Sequence, residues 1–261
     1  MKYLRLYLHF VRFSFGRAME FRFDFSLKII MDCFYYVMHL SIFKILFNNT
    51  STLAGWTEDQ GMVFISSVLL IDAIHMTLFA SNMWNIPFLV NRGDLDVYIT
   101  RPVSTLFFIS LRDFAANSFI NLLIASAIFI TTLSRLQVDY SFFNLLGYIA
   151  LIINGVLLHY VMQMLFIIPV FWTQSNKGFN EIFFSLGLAM ERPDLIYRGF
   201  VRIIFTFVIP MGLVASLPAR WFFGPHTPYL TLHLLGITAV MWGLMLFFWK
   251  RGLRAYSSAS S

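Results

Sequence analysis

Hydrophobic residues run through this chain in long, nearly uninterrupted stretches that short polar segments separate. A helix needs roughly 20 mostly apolar residues to cross the hydrocarbon core of a bilayer. Six stretches meet or approach this length, so the pattern predicts an all-α polytopic membrane protein with six transmembrane helices. The predicted spans are Leu27–Phe47, Gly61–Trp84, Phe114–Leu133, Leu145–Trp172, Phe200–Leu217 and Leu230–Trp249.

Two apolar segments fit this scheme less well. The fifth predicted span is short and is interrupted by Pro210 and Gly212. A further apolar patch, Ile182–Met190, is too short to cross a bilayer, and we expect it to lie on the membrane surface. Composition supports a membrane protein, because 59% of the 261 residues are hydrophobic and only 12% are charged. A soluble domain of this size would need more charge to cover its surface.

The basic residues predict the orientation of the spans. Of the 19 Lys and Arg residues, only Lys44, Arg135 and Arg220 fall on one side of the predicted membrane. The others lie on the side that holds both termini, and the positive-inside rule makes that side cytoplasmic. This bias also explains the net charge of +6 without a nucleic-acid partner.

The first 25 residues predict an amphipathic helix that lies flat on the cytoplasmic face of the membrane. Helical spacing gives it an apolar face of Leu4, Leu8, Val11 and Phe15 and a polar face of Arg5, His9 and Arg12. Such a helix either only anchors the chain to anionic lipid or takes part in gating.

Two predicted cytoplasmic loops, residues 85–113 and 173–199, are the longest and contain most of the remaining charge. The first includes the run Asn-Arg-Gly-Asp-Leu-Asp-Val-Tyr-Ile-Thr-Arg-Pro-Val-Ser at positions 91–104. In it, Gly93 predicts a turn, Asp94 a helix cap, and Asp96 a favourable contact with the helix dipole. Pro102 disfavours helix at Arg101. The run therefore predicts a short amphipathic helix of about two turns.

No G-x-x-x-x-G-K-[ST] motif occurs in the sequence. The chain thus has no loop of this kind to hold nucleotide phosphates. Any function driven by ATP would require a separate subunit.

The N-terminal helix, the six spans and the Arg-Gly-Asp-Leu-Asp…Arg-Pro-Val-Ser loop together resemble permeases of the type-2 ATP-binding-cassette (ABC) exporters. The run Glu-Arg-Pro-Asp-Leu-Ile-Tyr-Arg-Gly at positions 191–199 resembles one subfamily of them, long catalogued as a domain of unknown function. The resemblance covers essentially residues 1–261. It implies a single permease domain in the inner (plasma) membrane of a prokaryote.

The resemblance also implies partners and sites. It implies a dimer of permeases, alike or related, with two copies of an ATPase subunit that bind ATP and Mg, while this chain binds no cofactor and no metal and is not catalytic. The coupling helix in an ATPase groove would be formed by Gly93, Asp94, Leu95, Asp96, Val97, Tyr98, Arg101 and Pro102. A second ATPase contact would come from Glu191, Arg192, Pro193, Asp194 and Arg198, although the arginines could instead meet lipid phosphates.

The family usually has re-entrant helices before the last span. In this sequence, only Pro218–Tyr229 and the broken end of the fifth span could supply them. The aromatic, weakly charged spans would suit a lipid, a glycolipid, or an amphiphilic drug or peptide as substrate.

Polar residues inside the predicted spans are costly and therefore candidates for function. Asp72 lies nearest the midplane, and His75 shares its helical face and could be its partner. The other polar residues in the spans are Asp32, His39, Asn82, Asn117, Asn121, Asn154, His159 and Gln163. They would either line a translocation path or form interhelical hydrogen bonds.

Three other functions compete with an exporter. An ion-coupled secondary transporter would use Asp72 and His75, but such folds often contain internal repeats, and none is evident here. A membrane-embedded enzyme lacks a recognisable motif, and the i, i+2 spacing of Asp94 and Asp96 places them on different sides of a helix. A passive channel or scaffold is the third.

Overall fold

Helices make up 83% of the computed structural model, which describes residues 2–53, 55–135, 141–175, 177–223 and 228–256. The described residues contain no strand, only an isolated bridge between Leu53 and Trp56. The helices are α1 (Lys2–Glu20), α2 (Arg22–Asn49), α3 (Glu58–Arg92), α4 (Asp96–Ile99), α5 (Thr105–Leu111), α6 (Ala116–Ser134), α7 (Phe142–Thr173), α8 (Lys177–Gly187), α9 (Gly199–Val208), α10 (Met211–Arg220) and α11 (Pro228–Ala255). The predicted all-α polytopic fold is confirmed.

Five of these helices, α2, α3, α6, α7 and α11, are each long and apolar enough to cross a membrane. The pair α9 and α10 reaches that length only jointly, and the two are bent by 80° relative to each other. The fifth predicted span, Phe200–Leu217, is therefore divided between two helices, in line with its predicted interruption by Pro210 and Gly212. The break falls at Ile209 and Pro210, where proline removes a backbone donor and disfavours helix in the residue before it.

The centre of the bundle is formed by α3 and α7. In these two helices 61% and 78% of the apolar window is buried, compared with 17% in both α2 and α11. The hydroxyls of Ser67 and Tyr148 join α3 to α7 at 3.0 Å, and the Tyr148 ring stacks on Phe129 of α6. The apolar faces of α2 and α11 remain uncovered, as expected of spans that lipid solvates.

Near its middle, α3 contains a π-helical turn over Met76–Ala80. Within that turn, the carbonyl of Thr77 accepts a hydrogen bond from the backbone of Ala115 at 3.0 Å. One turn later, the Asn82 side chain both donates to and accepts from the backbone of Asp113, each at 2.8 Å. These bonds fix the start of α6 against α3, and they give Asn82 a structural role.

Helix α1 lies at one end of the bundle, as the N-terminal amphipathic helix of the prediction. It packs across α5 and the start of α6, where Phe10 contacts Phe108 and the Ser14 hydroxyl accepts from the backbone of Phe114 at 3.2 Å. Arg17 forms an ion pair with Asp113 at 3.1 Å. We call this the loop end of the bundle.

The ends of α7 and α11 also lie at the loop end, because Phe171 and Trp249 share a buried cluster with Leu95 and Tyr98. Both helices span the bundle, and α11 begins at the opposite end. The chain between residues 174 and 228 must therefore cross the bundle once in total.

That crossing is divided between α8 and α10. In α8, the Phe183 ring lies 5.5 Å from His159 and 6.0 Å from Phe166, so the helix leads into the bundle. Further along, α10 continues toward the opposite end, since a Cβ on Gly155 would meet Val214 and one on Gly147 would meet Trp221. Residues 188–210 interrupt the crossing. Within them, α9 lies at 80° to α10.

The apolar patch Ile182–Met190 is thus partly buried in the bundle rather than lying on the membrane surface. Phe183, Ala189 and Met190 are all buried. Of the stretch predicted to supply re-entrant helices, Pro218–Arg220 belongs to α10, while residues 224–227 lie outside the described residues.

Candidate functional site

Two regions contain most of the residues that the sequence singled out, a loop at one end of the bundle and a cavity between the spans. The first is the loop from Gly93 to Ser104 at the loop end of the bundle. Gly93 ends α3 with a φ of 79°, which glycine adopts without steric cost, so the predicted turn is present. Helix α4 is a single turn, Asp96–Ile99, rather than the two turns expected.

Two side chains of this loop anchor it to the bundle. Leu95 is 0% exposed, and Tyr98 is buried beside it. Arg112 donates to the Tyr98 hydroxyl and lies 5.4 Å above the tyrosine ring. The loop is therefore held as a fixed projection rather than a free segment.

Asp94 does not cap α4, contrary to the prediction. The residue before the helix is Leu95, and no side chain caps this end. The Leu95 N–H instead bonds the Leu89 carbonyl at 3.2 Å, which continues the turn begun at Gly93 and starts the helix one residue later. Asp96 does lie in the first turn, where a carboxylate complements the helix dipole.

The outer surface of the loop is mixed in character. Val97 is 54% exposed, and Asp94, Thr100, Arg101 and Pro102 are exposed around it. The Arg101 guanidinium lies 5.2 Å above the Phe108 ring and donates to the Val97 carbonyl at 3.2 Å. On the inner side, burial and then the carboxylates of Asp96 and Asp94 raise the pKa of Tyr256.

The second predicted loop motif has a different environment. Asp194, whose side chain is 3% exposed, forms an ion pair with Arg220 of α10, and its backbone N–H donates to the Ser216 hydroxyl at 3.1 Å. The sequence placed Asp194 in the cytoplasm and Arg220 outside, and two paired residues cannot lie on opposite sides of a membrane. The assignment of residues 173–199 to a cytoplasmic loop therefore has to be revised.

Glu191 also contacts the bundle. It accepts a hydrogen bond from the Tyr35 hydroxyl at 3.2 Å and lies 3.3 Å from Nε2 of His39, both in the middle of α2. Of the remaining motif residues, Pro193 is buried, while Arg192 and Arg198 are exposed.

Glu191 borders a cavity of about 770 Å³ between α2, α3, α6, α7 and α8. The cavity brings together residues that the sequence had placed in separate spans. Its polar lining includes Asp32, Asp72, His75, Asn121, Gln163 and Glu191.

Asp72 and His75 both line this cavity, but they do not bond to each other. Within the described part of the chain, Asp72 makes no hydrogen bond or ion pair. The His75 ring stacks on His159 of α7 with centroids 4.1 Å apart. The side chain of His75 also interacts with that of Gln163, on the same neighbouring helix. The suggested internal partnership with Asp72 is therefore not formed.

The other polar residues in the spans divide between lining and packing. Asn121 donates to Asp32 at the cavity wall, where Asn117 also lies. Asn154 accepts from the Thr238 hydroxyl at 3.2 Å and joins α7 to α11. The described residues hold no group of three or more His, Cys, Asp or Glu side chains that could bind a metal ion.

The fold and these two regions define a polytopic membrane protein with a cavity between its spans and an anchored projection at one end. Comparison with known protein families matches residues 33–260 to the ABC-2 family transporter proteins, and the chain belongs to that family. It is thus a permease component of an ABC transporter, a membrane component that is not itself catalytic and that assembles with ATPase subunits.

Membership of this family argues against the hypothesis of an ion-coupled transporter that Asp72 and His75 had suggested. Neither the curated proteins nor the solved structures compared with the chain gave a match.

Proposed function

We propose that this chain forms the membrane path of an exporter together with a second permease, identical or related. Two copies of a separate ATPase subunit, which bind ATP and Mg, drive it. The anchored loop at Gly93–Pro102 carries the proposal, because it is a rigid projection with a mixed apolar and charged outer surface. Such a surface suits a protein groove better than it suits lipid or water.

The loop is also connected to the cavity. Helix α3 runs from the cavity wall at Asp72 to the turn at Gly93, and the loop leads on to α5 and α6. A displacement of the loop by the ATPase would therefore move one cavity wall. Transport requires only that nucleotide-bound ATPase prefers one arrangement of the spans over the other.

The proposed orientation places the loop end in the cytoplasm of a prokaryote. It is supported by the excess of Lys and Arg predicted on that side and by the common location of α1, the loop and Tyr256. Helix α1 would then lie against the inner leaflet and contact its lipids. The cavity would receive a lipid, a glycolipid, or an amphiphilic drug or peptide and release it outward.

Arg101→Glu tests the assignment of the loop. The tagged protein, purified in mild detergent from its native membrane, should retain its elution volume. The amount of ATPase subunit that co-purifies should fall about tenfold, because a charge reversal in the centre of a contact is strongly unfavourable.

The matched control is Arg254→Glu, the same reversal at an exposed position near the loop end. It should leave the ATPase stoichiometry unchanged. Equal recovery of the ATPase with both variants would show that the subunit binds elsewhere.

A further inference from the structure

The charge of the cavity lining is unbalanced. Three carboxylates border it, on Asp32, Asp72 and Glu191. The described lining residues include one Lys or Arg, which is Lys28, and it already pairs with Asp24 at 2.7 Å. His39 pairs with Glu191 and also attracts Asp72, but Asp32 meets only the neutral amide of Asn121, and Asp72 forms no hydrogen bond or ion pair among the described residues.

A second observation points to a ligand in the same place. Asn121 and His159, which are 2% and 7% exposed, line the cavity, and Oδ1 of Asn121 and Nδ1 of His159 have no hydrogen-bond partner among the described residues. His75 and Gln163, also at the wall, interact with each other through their side chains. Buried polar groups are normally hydrogen-bonded, so an arrangement like this is typical of a site that a ligand completes.

The remaining lining sets the size and type of the ligand. A volume of about 770 Å³ is in the range of pockets for small organic molecules. Tyr36, Trp84 and Phe183 add aromatic surface, which favours organic cations. The absence of three clustered metal-binding side chains among the described residues argues against a bare metal ion.

We propose that the cavity binds an amphiphilic organic cation, an amine or quaternary ammonium group on an apolar body, with Asp72 as its counter-ion. Asp32 supplies further negative potential, and the unpartnered atoms of Asn121 and His159 bond polar substituents. Anions are excluded because they would meet uncompensated carboxylates. The inference rests on the proposed exporter function and names its substrate class.

The test uses two probes of the same shape and opposite charge, tetraphenylphosphonium and tetraphenylborate. The permease, with whatever ATPase co-purifies, is reconstituted without nucleotide in phosphatidylcholine nanodiscs, and binding to empty nanodiscs is subtracted. The cation should bind about tenfold more tightly than the anion, or tighter still. The substitution Asp72→Asn should weaken cation binding about tenfold.

Two variants serve as controls. Asp59→Asn makes the same substitution at an exposed position of α3 and should leave cation binding unchanged. Asp72→Glu keeps the charge and should retain most of the affinity, which separates a counter-ion from a residue needed only for packing.

Equal affinity for the two probes, or unchanged cation binding in Asp72→Asn, would overturn the proposal. The protein bands of the same preparation report the ATPase independently. Absence of the ATPase together with Asp72-dependent cation binding would refute the exporter and keep the site. Presence of the ATPase without Asp72-dependent cation binding would refute only the substrate class.

Phosphatidylethanolamine nanodiscs distinguish two sources of the amine. If this lipid competes with tetraphenylphosphonium, the natural cation is a membrane aminolipid. Undiminished binding assigns it to a water-soluble amphiphile.

Discussion

The loop at Gly93–Ser104 and the segment at residues 188–198 look alike in the sequence and differ in the structure. Both are short, charged and rich in Asp, Arg and Pro. The first buries apolar anchors, Leu95 and Tyr98, and exposes its charged residues Asp94 and Arg101. The second buries Asp194 in a pair with Arg220 and bonds the half-buried Glu191 to α2, while Arg192 and Arg198 are exposed.

This difference separates two uses of the same residue types. Exposed charges around an apolar side chain are typical of a surface that another protein contacts. Buried charges that pair across helices cost desolvation and hold a broken segment in one arrangement. A charged motif therefore does not by itself place a segment outside the membrane.

The largest expected effect comes from breaking the buried ion pair. Arg220→Met leaves the Asp194 carboxylate uncompensated, and we expect it to lower the free energy of unfolding by about 3 kcal/mol. Thermal unfolding in detergent, followed by fluorescence-detected size exclusion, measures this loss. The double variant Arg220→Met with Asp194→Leu should recover much of it; no recovery would mean that the pair is not buried as described.

A smaller effect is expected at Glu191. Glu191→Gln weakens the bonds with Tyr35 and His39 and should destabilise the protein by about 1 kcal/mol at neutral pH. Thermal unfolding in detergent measures this loss as well, and an unchanged midpoint in Glu191→Gln would contradict the bonds with Tyr35 and His39.

An effect of about the same size as at Glu191 is expected at the first loop. Gly93→Ala forces a side chain into a left-handed conformation and should cost about 1 kcal/mol while leaving the buried anchors in place. Gly16→Ala in α1, where an added Cβ would meet nothing within 4 Å, is the control and should be neutral or stabilising. Equal melting temperatures for the two variants would place Gly93 outside the strained turn.

The sequence predicted those features that depend on local chemistry. Apolar runs located five continuous spans, and turn chemistry located Gly93 and the helix that follows it. Asp72 and His75, which the sequence singled out, both lie in α3 and line the cavity together.

Features that depend on pairing between distant segments could not be predicted. Asp194 and Arg220 are 26 positions apart, and a charge count assigned them to opposite sides. Glu191 was interpreted as a loop residue, because nothing in its own neighbourhood indicates Tyr35 and His39 as partners. A useful signal was present, since carboxylates that flank an apolar patch such as Ile182–Met190 fit a broken intramembrane crossing as well as a surface loop.

The π-helical turn at Met76–Ala80 has a consequence for how the chain tolerates insertion and deletion. Each residue rotates an α-helix by about 100°, so one residue more or less in this turn changes the angular phase of everything beyond it. The turn lies between Asp72, which faces the cavity, and the part of α3 that leads to Gly93. Deleting a single residue there would preserve composition and hydropathy and would leave Asn82 facing away from Asp113. The length of this turn, counted in residues, therefore sets the angle between the cavity wall and the projecting loop.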